Sequence, residues 1–181
     1  MPGETALTVA AEAAVTNLHL GNGAMKRLLI PTLLLSSAAL AQPAADPTAF
    51  ASAADVNAQV TAMRNAMKPD QGFMWKPLVR DGEVMAALEY WKKPAKPAVH
   101  PDQAEYVTVI AGSGTMVSGG RLVDPVNSNP TLIEGSRIEG GTTRTLRRGD
   151  VFLVPAGTPH WFGIAGDRLV LLGTKIPQLS H

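Results

Sequence analysis

Three side chains, His100, Glu105 and His160, are the part of this sequence best suited to chemistry. The 181-residue chain has four histidines. His19 lies near its start and His181 is its last residue, which leaves His100 and His160 inside the region that reads as folded. Glu105 follows His100 and opens the most strand-like run of the chain, Tyr106 to Ala111. A carboxylate at the mouth of an apolar strand is costly to bury unless something neutralises it. A metal ion would do so. Two imidazoles and one carboxylate form a facial ligand set that leaves positions open on iron, zinc, manganese or nickel. An open position is what a metal needs to bind substrate or to activate water. The chain has no cysteine, which excludes thiolate zinc sites, disulfides and a cysteine nucleophile. It has no Gly-x-Ser-x-Gly and no other nucleophile–base set, so no catalytic residue is assigned. The glycine runs Ser118-Gly119-Gly120 and Gly140-Gly141 precede no helix start and read as turns, not phosphate cradles.

The element that must deliver His160 is the stretch Gly149 to Trp161. Val151 to Val154 reads as a buried strand between a Gly149-Asp150 turn and a tight Pro155-Ala156-Gly157 turn. Side chains alternate along a strand. Phe162 therefore shares His160's side, as a pocket wall or as ordinary core packing, and Trp161 faces outward. If Glu105 points inward, so do Val107 and Val109, and Tyr106 points out. On the run Val84 to Trp91, Glu89 shares a face with Met85, Ala87 and Trp91. Inside a barrel Glu89 would be a base or a replacement ligand; exposed, it is a solvated charge, the commoner fate of a glutamate. Glu89, Val107 and Phe162 make up the candidate pocket.

The rest of the chain frames these elements. Met1 to Ala24 carries little pattern and reads as a non-native or unstructured extension. Met25-Lys26-Arg27, the apolar run Leu28 to Leu35 and Ala39-Leu40-Ala41 together form an export signal over residues 25–41, with cleavage after Ala41. Its apolar run is too short to span a bilayer, so the expected location is periplasmic or secreted. A linker follows over residues 42–51. A helix is expected from Ser52 to Lys68, within a segment of residues 52–70. Val56, Val60, Met63 and Met67 fall on one helical face, Ser52 or Asp55 caps the start, and Pro69 lies beyond the end.

Residues 71–181 read as short strands and turns. They comprise an edge strand from Met74 to Val79, an Asp81-Gly82 hairpin turn and a strand from Val84 to Trp91. Lys92 to Val99 reads as a Lys/Pro/Ala loop that cannot join a sheet interior. Tyr106 to Ala111 is expected to turn at Gly112-Ser113-Gly114 into a hairpin with Thr115 to Val117. Val123 to Gly141 reads as polar and turn-rich, with one short apolar core at Thr131 to Ile133, and Arg168 to Leu172 as a last strand before a tail. Seventeen glycines and fourteen prolines suit this punctuation, and even spacing of short strands suggests a jelly-roll barrel. The formal charge of +1, with scattered basic residues, favours neither nucleic acid nor a membrane surface as partner.

Two segments resemble the paired motifs of the cupin superfamily. In the first, His100 matches the second histidine of a His-x-His element, Glu105 its glutamate and Gly112 its closing glycine. In the second, Gly149, Pro155, Gly157 and His160 match in register. The first motif's leading histidine is replaced by Ala98, its opening glycine by Lys92, and the second motif's closing asparagine by Ile164. The resemblance implies an all-β fold, a double-stranded β-helix barrel with one N-terminal α-helix after the signal peptide. It further implies a divalent metal (Fe, Zn, Mn or Ni) on His100, Glu105 and His160, a small organic ligand, and pairing into a homodimer. The activity implied is of the metal-dependent dioxygenase or isomerase type. The alternative is a metal-poor module that binds a sugar or other small molecule without catalysis.

Overall fold

A computed structural model describes residues 46–178. The expected N-terminal extension, the export signal, His19 and His181 lie outside the described residues. Among the described residues the first element is α1 (Ala53–Ala66). Its start is fixed by a capping box: the Ser52 hydroxyl accepts the Asp55 N–H, and the Asp55 carboxylate accepts the Ser52 N–H at 2.9 Å. The helix ends two residues earlier than the pattern predicts, because Met67 is already extended. Met63 and Met67 are buried against Leu88, Tyr90 and Val170, with Val56 and Val60 packed beside them. The apolar stripe therefore docks α1 on the outer face of the sheet.

Eleven strands follow. They are β1 (Phe73–Asp81), β2 (Val84–Trp91), β3 (Ala98–Val99), β4 (Gln103–Ser118), β5 (Arg121–Val123), β6 (Val126–Asn129), β7 (Leu132–Glu134), β8 (Arg137–Glu139), β9 (Thr142–Arg147), β10 (Val151–Val154) and β11 (His160–Pro177). Nine belong to one curled sheet with the order β1-β2-β11-β3-β7-β6, in which β4 pairs with β11, β9 and β10; β5 and β8 pair separately. The fold is the expected all-β double-stranded β-helix. Inside it, Val107, Val109, Met116, Leu146, Val154, Leu169 and Leu171 form an apolar core.

Several elements depart from the sequence reading. Tyr106 to Val117 does not fold into a hairpin but runs through the single strand β4. Gly112 bends this strand without reversing it: its φ is +76°, and a Cβ there would lie 2.1 Å from the Arg168 carbonyl oxygen. Val151 and Leu153 are not buried. They are 55% and 56% exposed, while Phe152 and Val154 turn toward the core. Side chains alternate along β10, so Val151 and Leu153 face outward. Ala98 and Val99 do join the sheet, with Ala98 paired to both His160 and Glu134. Beyond Pro97, each residue again has the N–H that a ladder requires. The polar region after Val123 contributes β6, β7 and β8 in place of turns alone, and the expected tail continues β11 to Pro177.

Candidate metal centre

The two histidines arrive on neighbouring segments. His100 follows β3, and its carbonyl accepts the Gly157 N–H at 2.8 Å. This bond clips the Pro155–Gly157 turn to the His100 backbone, and Gly157 adopts a φ of +72° there, a region that favours glycine. His160 then opens β11, paired with Ala98 on one side and Ser118 on the other. Glu105 points inward from β4, as alternation from Val107 and Val109 requires; Tyr106 points out and is 44% exposed.

The three side chains converge. His160 Nε2 lies 3.2 Å from Glu105 Oε2, and His100 Nε2 lies 4.0 Å from the same oxygen. One ligand atom from each residue falls within 4.8 Å of the others. His100 Nδ1 is 2.9 Å from the Thr131 carbonyl, and His160 Nδ1 is 3.0 Å from the Thr158 carbonyl. A carbonyl can only accept, so both Nδ1 atoms carry hydrogen. When the ring is neutral, each Nε2 lone pair is then turned toward Glu105, the orientation that outer partners impose on metal-binding imidazoles.

Lys175, a residue the sequence reading passed over, completes the cluster. Its Nζ lies 2.7 Å from Glu105 Oε2 and donates to His100 Nε2 at 2.7 Å. Burial alone would raise the Glu105 pKa, but an Nε2–H donated by His160 in its charged form and the Lys175 ammonium overcome it and hold the group at about 2. Glu105 Oε2 is nonetheless a buried acceptor without a directed hydrogen bond, since its close contacts lack the required angles. A lone pair of this kind suits a cation ligand. His100 is held below the usual imidazole value, first by burial and then by the Lys175 charge.

Glu89 also faces this interior. The Trp91 indole N–H donates to Glu89 Oε2 at 3.0 Å. Burial, reinforced by the Glu105 charge, pushes its pKa up to about 7. Glu89 is therefore a cavity residue, not the solvated charge that its type suggests. With Phe162 it lines a cavity of about 380 Å³ that contains His100, Glu105, His160 and Lys175. Phe73, Trp75 and Trp91 supply much of its apolar wall. Val107 lies elsewhere: it is fully buried in the apolar core, one inward position deeper than Glu105, and does not reach the cavity wall. Trp161, expected outside, lines the cavity rim, where its indole N–H donates to the Ala95 carbonyl at 2.8 Å. A more open groove of about 960 Å³ shares Ala95, Lys96, Glu134 and Trp161 with the cavity but holds none of the three ligand residues. The chemistry belongs to the smaller space. Lys175 could have been found by continuing the alternation of the last strand, since Leu169, Leu171, Gly173 and Lys175 share one parity.

A curled antiparallel barrel with an imidazole–carboxylate cluster on its inner wall defines the class of double-stranded β-helix proteins. Within that class, residues 94–173 match the family model described as Cupin. No curated protein matches the chain. Solved structures similar to it include hydroquinone 1,2-dioxygenase from Sphingomonas sp. TTNP3 with 4-hydroxybenzoate bound, 16% identical over 66% of this chain and 73% of that chain, with a TM-score of 0.49. KdgF from Halomonas sp. is 19% identical over 62% of this chain and 87% of its own, with a TM-score of 0.43. An uncharacterized protein with a double-stranded β-helix domain from Klebsiella pneumoniae is 13% identical over 66% of this chain and 89% of its own, with a TM-score of 0.45.

Proposed function

We propose that the barrel binds one divalent metal ion on His100, Glu105 and His160 and receives a small organic ligand in the adjoining cavity. One observation carries this reading: both Nδ1 atoms are committed to backbone carbonyls, so both Nε2 atoms are turned toward the buried Glu105 oxygen, where His100 Nε2 already meets the Lys175 ammonium. The donor set of two nitrogens and one oxygen suits iron, zinc, manganese or nickel. A bound ion would supply Lewis-acid polarisation of a ligand oxygen, or a site for O2 beside the substrate, as in a dioxygenase or isomerase. The chain's own contributions are distinct from that chemistry. Thr131 and Thr158 orient the imidazoles, the aromatic wall excludes water, and Glu89 and Lys175 present polar groups to a ligand. The test is metal analysis of purified protein beside His160→Ala. The expected result is one ion per chain, lost in the variant; no uptake of Fe, Zn, Mn or Ni by wild type contradicts it.

A second reading has its own support. Lys175 already neutralises Glu105 from 2.7 Å, so a metal-poor module that binds a sugar or other small molecule is consistent with the same wall. Retained ligand binding by protein stripped with a chelator distinguishes it.

We further propose export and homodimer formation. Export is supported by the basic start, apolar core and small-residue end of residues 25–41; a mature N-terminus at Gln42 tests it. Pairing is supported by the exposed apolar residues Tyr106, Val151, Leu153 and Ile176 on the outer face. Leu153 lies directly across from Tyr106. Light scattering of Leu153→Glu should give half the wild-type mass, and an unchanged mass contradicts this contact.

A further inference from the structure

We propose that Lys175 is a tethered cation that competes with the divalent ion for Glu105 and His100, so that metal entry requires its ammonium to move. This rests on the metal reading above. The geometry is specific. Nζ lies 2.7 Å from Glu105 Oε2 and 2.7 Å from His100 Nε2, two of the three atoms offered as ligands. An ammonium hydrogen and a metal ion cannot share one imidazole lone pair. The Glu105 oxygen has the same conflict, because a compact cation is already at contact distance. Lysine suits this place: its charge is a point on a flexible four-carbon stem, so it can leave without disturbing the backbone.

The structure also provides a destination. Gly173 stands between Leu171 and Lys175 on the inward side of β11. A Cβ at Gly173 would lie 3.7 Å from Glu105 Oε1 and 3.8 Å from Glu89 Oε1, so the missing side chain leaves room beside both carboxyl groups. Glu89 and Lys175 line the same cavity. An ammonium displaced from Glu105 therefore has a second carboxyl to face without leaving the protein. Lys175 acts as a positioning residue for the metal, setting how tightly the ion is held.

The expected sign separates this role from a structural one. Damage to the barrel weakens metal binding, whereas removal of a competitor tightens it. Zinc affinity is measured at one fixed pH by competition with a chromophoric chelator, for wild type, Lys175→Met and Lys175→Gln, with circular dichroism to establish folding. Both variants should bind zinc about tenfold or more tightly than wild type. Equal or weaker binding by a folded variant overturns the proposal and leaves the metal reading standing. No zinc binding by any of the three proteins overturns both. A measurement on wild type alone gives an independent check. Acetylation of Lys175 by acetic anhydride, read by peptide mass spectrometry, should rise severalfold when zinc is added. Unchanged or reduced labelling shows that the ammonium stays in place, and the proposal fails.

Discussion

The two ends of the barrel interior share strands but not chemistry. On β4 the inward positions run from Glu105 to Val107 and Val109; on β11 they run from Leu169 and Leu171 through Gly173 to Lys175. One step of strand alternation carries the wall from a dry apolar core to a cluster of ionisable groups. The core end fixes where each strand lies and leaves nothing polar to satisfy. The other end inherits that placement and spends stability on groups that are costly to bury. A charge is tolerated at Glu105 and not one position deeper because only at Glu105 do an imidazole and an ammonium come within reach.

Substitutions at the two ends should separate these roles. Leu171→Ala removes a fully buried side chain from the core. It should lower unfolding stability by about 2–5 kcal/mol in chemical denaturation, with metal stoichiometry unchanged in the folded protein. Glu105→Gln should show the reverse balance, with metal uptake lost and stability changed by less than in Leu171→Ala. Equal behaviour of the two variants in both assays would erase the distinction between the ends.

The pH dependence of stability in chelator-treated protein sharpens the contrast within the polar end. Glu105 has a lowered pKa, so its contribution is present above the ordinary carboxylate value near 4.5 and is lost as pH falls toward about 2. Glu89 has a raised pKa, so the folded state holds its proton more firmly than the unfolded chain. Its effect therefore has the opposite sign: stability declines as pH rises from about 4.5 to about 7. Glu89→Gln should remove this decline, which is on the order of 3 kcal/mol. A decline of the same size in the variant would assign it to another group.

Much of the fold was legible because its determinants are local. Asp81-Gly82 marks the β1–β2 turn, the Ser52 and Asp55 pair marks the helix start, and alternation from Glu105 orients Val107, Val109 and Tyr106. The positions of His100, Glu105 and His160 followed from motif spacing, since Gly149, Pro155 and Gly157 mark the turns that carry His160. What remained hidden depends on distant partners. Gly112 looks like a turn residue, and only the approach of Arg168 shows it to be a bend within one strand. Val151 to Val154 looks buried because its residues are apolar, but only Phe152 and Val154 meet the core, while Val151 and Leu153 alternate onto the other face and stay exposed. Glu89 and Lys175 are ordinary surface types by composition. Their roles arise from strands far apart in the chain, brought together across β2, β4 and β11.

The central claim is that three remote side chains hold one cation. Anomalous diffraction from crystals of the protein equilibrated with zinc, recorded at the zinc edge, tests it most directly. A single peak bonded to His100 Nε2, His160 Nε2 and a Glu105 carboxylate oxygen is expected, with Lys175 Nζ moved away. A peak elsewhere, or none within bonding distance of both imidazoles, would contradict it.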